Sequence, residues 1–301
     1  MPGIFTKAHS FLRGCLGKDG RILLLLANDE LLRKRTPHTI VVLWDNGRFR
    51  PIVTVEWWCC AAVFLDWPDA EFAVVGEQGQ VLKVRADGST SEEMLPVSAS
   101  SQHCRWKAAV VIEGRLFAAG IGFCCAMVGP DGERRDLSPQ RFGIATEEHE
   151  MGFEGLAGTS MTDIVAVGWG EIWCFDGERW EIQDSPVERI LTDVISLPDG
   201  EFWICGQIGS LVRGRRGDWR ALPLDRWKNL WSLAYYQGAV FVAAIDELRR
   251  FDLDTGEAEF VELEGNPHSF YQLDAKRGEV LLSTGEKNVV LVTPTQEYII
   301  D

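Results

Sequence analysis

The chain has 301 residues, 46% apolar and 10% aromatic with 12 Trp, a composition that excludes a disordered polypeptide and can fill a sizeable core. Thirty Lys and Arg stand against 45 Asp and Glu, and the net charge of −15 argues against nucleic acid or anionic membrane as partner, because phosphate binding needs a basic surface. Basic proteins and cations remain compatible with it.

In chain order the first feature is residues 22–27 (ILLLLA), six apolar residues framed by Arg21, Asp29 and Glu30. A signal peptide needs a longer apolar stretch near the start, and a membrane span needs roughly 20 apolar residues. The run therefore reads as a buried strand, and the expected compartment is the cytoplasm. Residues 28–38 (NDELLRKRTPH) follow, a polar stretch with the basic run Arg33, Lys34 and Arg35. A turn glycine, Gly47 in DNGRFRPI, then opens a short strand, and the same signal returns at Gly88, Gly132, Gly177, Gly217 and Gly256, at spacings of 41, 44, 45, 40 and 39.

Two further columns repeat in step. A small residue ends each apolar run: Ala27, Gly76, Gly120, Gly168, Gly206, Ala244 and Thr284. A large apolar residue opens each unit: Phe11, Trp58, Trp106, Phe153, Ile190, Trp231 and Phe270. Within a unit the pattern is four short strands between glycine turns, as in LTDVISL, EFWICG, SLVRG and DWRALPL. No sustained helical period is present. Seven units of about forty residues predict an all-β fold, a seven-bladed β-propeller of four-stranded antiparallel blades in a single domain over 1–301. The predicted blades are 9–54, 55–97, 98–142, 150–186, 187–225, 226–264 and 265–301.

The pattern of apolar run, V-G-x-x-G, apolar run and D-G-x-x-W resembles bacterial propeller repeat proteins, a group that includes photosystem II assembly factors. Residues 163–181 (DIVAVGWGEIWCFDGERWE) match best, and 202–219 (FWICGQIGSLVRGRRGDW) nearly as well. The resemblance implies a propeller shape and little chemistry, since the matched glycines and tryptophans are fold residues. A sialidase-type S-x-D-x-G-x-T-W box and a regular WD dipeptide are absent.

Function in a repeat fold sits where units depart from the repeat. Most loops between second and third strands span two or three residues, but 28–38 inserts about ten. The connection 141–150 (RFGIATEEHE) is the second long exception, and both are expected on one face. Trp57, beside Trp58, is a further exposed-anchor candidate, since neighbouring strand residues face opposite ways. The predicted partner-binding residues are Arg33, Lys34, Arg35, His38, Trp57, Arg141, Glu147, Glu148, His149 and Glu150. Other residues expected on that face are His9, Glu56, Arg105, Met151, Glu188, Arg189, Lys228, Asn229 and His268.

His9 and His268 share the tripeptide HSF in the first and last units, and a paired-histidine site would place them together at ring closure. The plain alternative is that each bonds its own blade junction. The acids Glu257, Glu259, Glu262 and Glu264 read as charges that protect an outer strand from edge-to-edge pairing. Eight Cys without a C-x-x-C pair or secretory signal read as free, buried thiols, so no metal and no cofactor are expected. Phosphate-loop, nucleophile-elbow and H-E-x-x-H motifs are absent. The leading expectation is a non-catalytic protein-binding propeller, with an immunity protein neutralising a basic bacterial toxin as the concrete instance. The alternative is a lyase or hydrolase at the channel mouth, with His9, His268, Glu56 and Glu188 as acid–base groups.

Overall fold

A computed structural model describes residue 5 and residues 7–97, 104–139, 151–223, 228–253, 255–276 and 279–301. Seven sheets of four antiparallel strands each follow chain order, from His9–Leu16, Ile22–Asn28, Thr39–Asp45 and Arg48–Val55 in blade 1 to Gln272–Lys276, Val280–Thr284, Val289–Val292 and Glu297–Ile299 in blade 7. The architecture is the seven-bladed β-propeller read from the repeat.

All six turn glycines of the first column are left-handed or nearly so, with φ between +72° and +96°, which is why glycine recurs there. The second column closes each blade's second strand. That strand is covered on both faces, so Ile22, Leu23, Leu24, Leu25, Leu26 and Ala27 are all 0% exposed and read as a continuous apolar run. Burying each of the larger side chains contributes about 1.5–3 kcal/mol. Outer strands are the opposite case: Ala258–Val261 is largely exposed, and Glu259 on it pairs with Arg250 at 3.0 Å.

The third column is corrected by one residue in two blades. The first strands of blades 1, 3, 4, 5 and 6 each carry a β-bulge just after a buried opener. The openers are Phe11, Trp106, Phe153, Leu191 and Leu230, all 4% exposed or less. Leu191 thus replaces Ile190, and Leu230 replaces Trp231, which stands on the bulge and is 38% exposed. The bulge pushes the first strand over the end of the second, and this closeness explains the glycines there. A Cβ on Gly120 would lie 2.6 Å from the Trp106 Cα, and one on Gly206 would lie 3.0 Å from the Leu191 Cα.

Contacts divide the chain into residues 1–62 with 230–301, and residues 63–229. The first unit holds blades 1, 6 and 7. Its core joins Phe11, Ile22, Leu24 and Leu26 to Leu282, Val289 and Leu291, and a second cluster joins Phe241 and Leu248 to Phe270 and Leu281. Blade 7 meets blade 1 through side chains that cap backbone groups: Gln272 accepts the Gly14 N–H at 2.8 Å, and Asp274 accepts the Leu16 N–H at 2.7 Å. Burial pushes the Asp274 carboxyl up, opposed by hydrogen bonds from Leu16 and Ala275. In the second unit, Phe117, Phe153 and Trp173 centre one cluster, and Val165, Phe202 and Ile204 another.

All eight Cys are free thiols, as the composition implied, although Cys59 and Cys104 are only half-buried. Burial pushes the Cys124, Cys125, Cys174 and Cys205 thiols up, away from the reactive thiolate. No helix among the described residues is long and apolar enough to cross a membrane.

Candidate partner-binding site

The insertion 28–38 contains a short helix that the sequence reading did not anticipate, α1 (Asp29–Arg33). Its signals are local. Asn28 is extended and its side chain accepts from the N–H groups of Glu30 and Leu31 at 3.0 and 3.2 Å, a helix N-cap. Asp29 and Glu30 sit in the first turn and Arg33 in the last, matching the helix dipole. Lys34 reaches back to Glu30 at 2.6 Å, and Arg35 ends the turn at φ +53°. An isolated helix of this length is unstable in water, so its order comes from what holds it.

Three anchors do so. His38 is 3% exposed; its Nε2 accepts the Asn28 N–H at 2.7 Å, so Nδ1 carries the proton that it donates to the Thr36 carbonyl at 2.8 Å. Its ring lies against Trp58, centroids 5.4 Å apart. Thr39, fully buried, donates to the Trp57 carbonyl at 2.8 Å and accepts the Cys59 N–H at 3.1 Å. Asp29 accepts from Ser10 at 2.8 Å and from Lys287 of blade 7 at 2.7 Å. Burial works to raise the Asp29 carboxyl, but the hydrogen bonds from Lys287 and Ser10 outweigh it and hold the group below the ordinary carboxylate range. A lowered carboxyl stabilises the fold above its unfolded titration range. That contribution is therefore present at neutral pH and is lost on acidification through the carboxylate range.

Arg33, Lys34 and Arg35 are accordingly exposed on one anchored ridge, with Leu32 37% exposed beside them. Among the described residues, Lys34 has an ion-pair partner and Arg33 and Arg35 have none. His38 lies beneath the ridge as a strut. Trp57 and Trp58 are both half-buried, and Trp57 lies in a bend between strands rather than within one, so the alternating-face argument does not apply to it. Arg141, Glu147, Glu148, His149 and Glu150 lie outside the described residues. Replacing His38 with Ala leaves the Asn28 N–H without its acceptor and is expected to cost about 1–3 kcal/mol. Amide hydrogen exchange should then accelerate within 28–38 while the core strands keep their protection.

The rim continues past blade 1 within the same unit. Glu286 N–H bonds the Ser269 hydroxyl at 2.9 Å, and Phe270 N–H bonds the Ile245 carbonyl at 3.0 Å, linking the turns of blades 7 and 6. Ile245 is 48% exposed on this rim, and Trp231 stands out on the bulge of the same blade. Sequence reasoning missed Ile245 and counted Trp231 among the unit-opening residues in place of Leu230, because a bulge leaves no mark in the apolar pattern.

The two HSF tripeptides are structural repeats. Ser10 bonds Asp29 in the turn of its own blade, and Ser269 bonds Glu286 in its own. His9 Nδ1 lies 3.3 Å from the Phe5 carbonyl, and His268 is exposed; among the described residues no bond joins the two. Elsewhere on the expected face, Arg105 pairs with Glu77 at 3.1 Å, Asn229 accepts the Ile208 N–H at 3.0 Å, and Met151 packs into the core. Glu56, Glu188 and Arg189 are exposed, and Lys228 is half-buried. No three His, Cys, Asp or Glu side chains gather in a metal-binding group among the described residues.

No protein-family model matches the chain. Solved structures similar to it include virginiamycin B lyase from Staphylococcus aureus, 10% identical with a TM-score of 0.69 over 96% of both chains. The WD40 β-propeller domain of Doa1 is 10% identical, with a TM-score of 0.71 over 98% of both. YCF48 bound to D1 peptide is 16% identical, with a TM-score of 0.70 over 98% of this chain and 94% of that one. At these identities the likeness shows the fold alone. A curated relative is far nearer in sequence: the immune protein Tsi7 of Pseudomonas aeruginosa is 30% identical over 271 residues, 87% of each chain. The chain belongs to the family of the immune protein Tsi7.

Proposed function

We propose that the chain is an immunity protein that acts in the cytoplasm as a single seven-bladed domain, binding a bacterial toxin of basic surface and blocking it by contact. The observation that carries this reading is the relationship, over 87% of both chains, to a protein named for immunity. Charge supports it: a surplus of fifteen carboxylates steers a basic partner towards the chain and raises the association rate.

The ridge at Arg33, Lys34 and Arg35 supports a defined docking geometry. Residues 9–55 carry eight basic side chains against four acidic ones, a basic segment inside an acidic protein. Such an inversion suppresses wrong partners and fixes register on the right one. Trp231, Ile245 and Leu32, exposed on the same unit's rim, supply the apolar area that binding hot spots use.

The test is survival. Toxin-like proteins encoded beside this chain are expressed singly, with and without it, and colony formation is counted. The chain is expected to restore growth against one of them and to co-elute with that toxin in a 1:1 mixture of the purified proteins. The reading is abandoned if none of the flanking products is toxic, or if toxicity is unchanged by the chain.

A further inference from the structure

Within residues 63–229, two turns after second strands hold a bulky residue in the left-handed backbone region: Phe123 at φ +57° and Ile208 at φ +54°. A Cβ makes that conformation unfavourable, and β-branching makes it more so. For Phe123 the compensation is packing. Its ring is 3% exposed and meets Phe153 and Trp173, with centroids 5.3 and 5.5 Å away. Ile208 has no such burial and is 39% exposed. Its turn is nevertheless fixed. Gln207 N–H bonds the Ile190 carbonyl at 2.8 Å, Ile208 N–H bonds Asn229 Oδ1 at 3.0 Å, and Gly209 N–H bonds the Lys228 carbonyl at 2.5 Å.

The turn of blade 4 offers a second exposed apolar side chain, Trp169, also 39% exposed. Its backbone bridges Ile190, the same residue whose carbonyl takes the Gln207 N–H, so one residue ties both turns. The segment is acidic, with eight carboxylates against two guanidinium groups over residues 151–190. Asp163, Asp176 and Glu178 lie at the far end of the blade, while exposed Glu188 borders the Trp169 turn, its backbone 3.5 Å from where a Cβ on Gly170 would lie.

We propose that Trp169 and Ile208 are the apolar anchor of the toxin contact on residues 63–229, inserted into an apolar cleft of the toxin that basic side chains surround. A strained residue whose turn is fixed by Ile190, Lys228 and Asn229 finds its compensating burial in the toxin rather than in its own fold. Surface carboxylates beside it select the basic rim of that cleft. This inference rests on the immunity reading above and names a surface for it.

Two variants test it, Ile208→Asn and Trp169→Ala, each measured by thermal melting and by titration against a catalytically inactivated form of the toxin that the wild-type chain suppresses. Asparagine suits the left-handed region, so Ile208→Asn is expected to leave the Tm unchanged or to raise it by roughly 1–3 °C. Each variant is expected to weaken toxin binding about tenfold or more. A Tm several degrees lower for Ile208→Asn would make the side chain part of the fold and overturn the proposal. So would wild-type affinity in both variants, which removes the anchor and leaves the immunity reading standing. A wild-type chain that binds no flanking toxin removes the reading and the anchor together.

Discussion

Gly168→Ala is expected to lower stability by about 3–5 kcal/mol, with a fall in Tm of roughly 6–12 °C. The effect is steric. A Cβ on Gly168 would fall on the Gly152 carbonyl and lie 3.4 Å from the Phe153 Cα. These neighbours are backbone, and no rotamer moves them aside. Gly152 is itself confined, since its own Cβ would lie 2.5 Å from the Ile121 Cα, so blades 3 and 4 meet through a glycine-lined passage. The bulge at Phe153–Gly155 creates this approach by pushing the first strand across the second. Gly217→Ala is the matched control: its φ is +81°, and nothing lies within 4 Å of its Cβ. It should cost about 1 kcal/mol, from the left-handed backbone alone. Equal losses in the two melts would refute the close-approach explanation.

The double variant Arg33→Glu with Arg35→Glu is expected to weaken toxin binding by about 2–5 kcal/mol, roughly 30- to 4000-fold, and to abolish protection in the survival test. Lys34 is left in place because it pairs with Glu30 at 2.6 Å, and a glutamate there would set like charges on one helix face. Arg33 and Arg35 are exposed and have no ion-pair partner among the described residues. Arg33→Glu sets a like charge near Asp29 and Glu30 and opposes the helix dipole, at a cost of roughly a few tenths of a kcal/mol, so the Tm should fall by no more than about 2 °C. The ridge is paired here with an acidic patch on the otherwise basic toxin, so the loss should fall with added salt, which screens the repulsion that the variant introduces there. Full protection by the double variant would remove the ridge from the interface.

The propeller was legible because its determinants are local and repeated. A left-handed turn needs Gly at 47, 88, 132, 177, 217 and 256, and a strand covered on both faces needs an unbroken apolar run such as 22–27. The ridge was legible as an exception to that period. What escaped were features set by the third dimension. The bulge that moves Trp231 outward leaves Leu230 and Trp231 equally apolar in the sequence. Helix α1 is too short to show a period, although its Asn28 cap and Asp29–Glu30 turn were readable. His38 looked like a surface group because its loop is polar, yet its two ring nitrogens are both used beneath the ridge. Ile208 gave no signal at all, since backbone sign is invisible where glycine is not required.

The junction of blades 1 and 7 also sets a timetable. The Gly14 and Leu16 N–H groups take their partners from residues 258 positions later, and Asp29 beneath the ridge waits as long for Lys287. At about 5–20 residues per second a ribosome needs roughly 10–50 s to cover that distance. For that interval a nascent blade 1 has its basic ridge but lacks the lysine that ties it down. On the immunity reading proposed above, protection by this chain would begin only when blade 7 has emerged, so a cell that makes toxin and antidote together would gain from starting the antidote first.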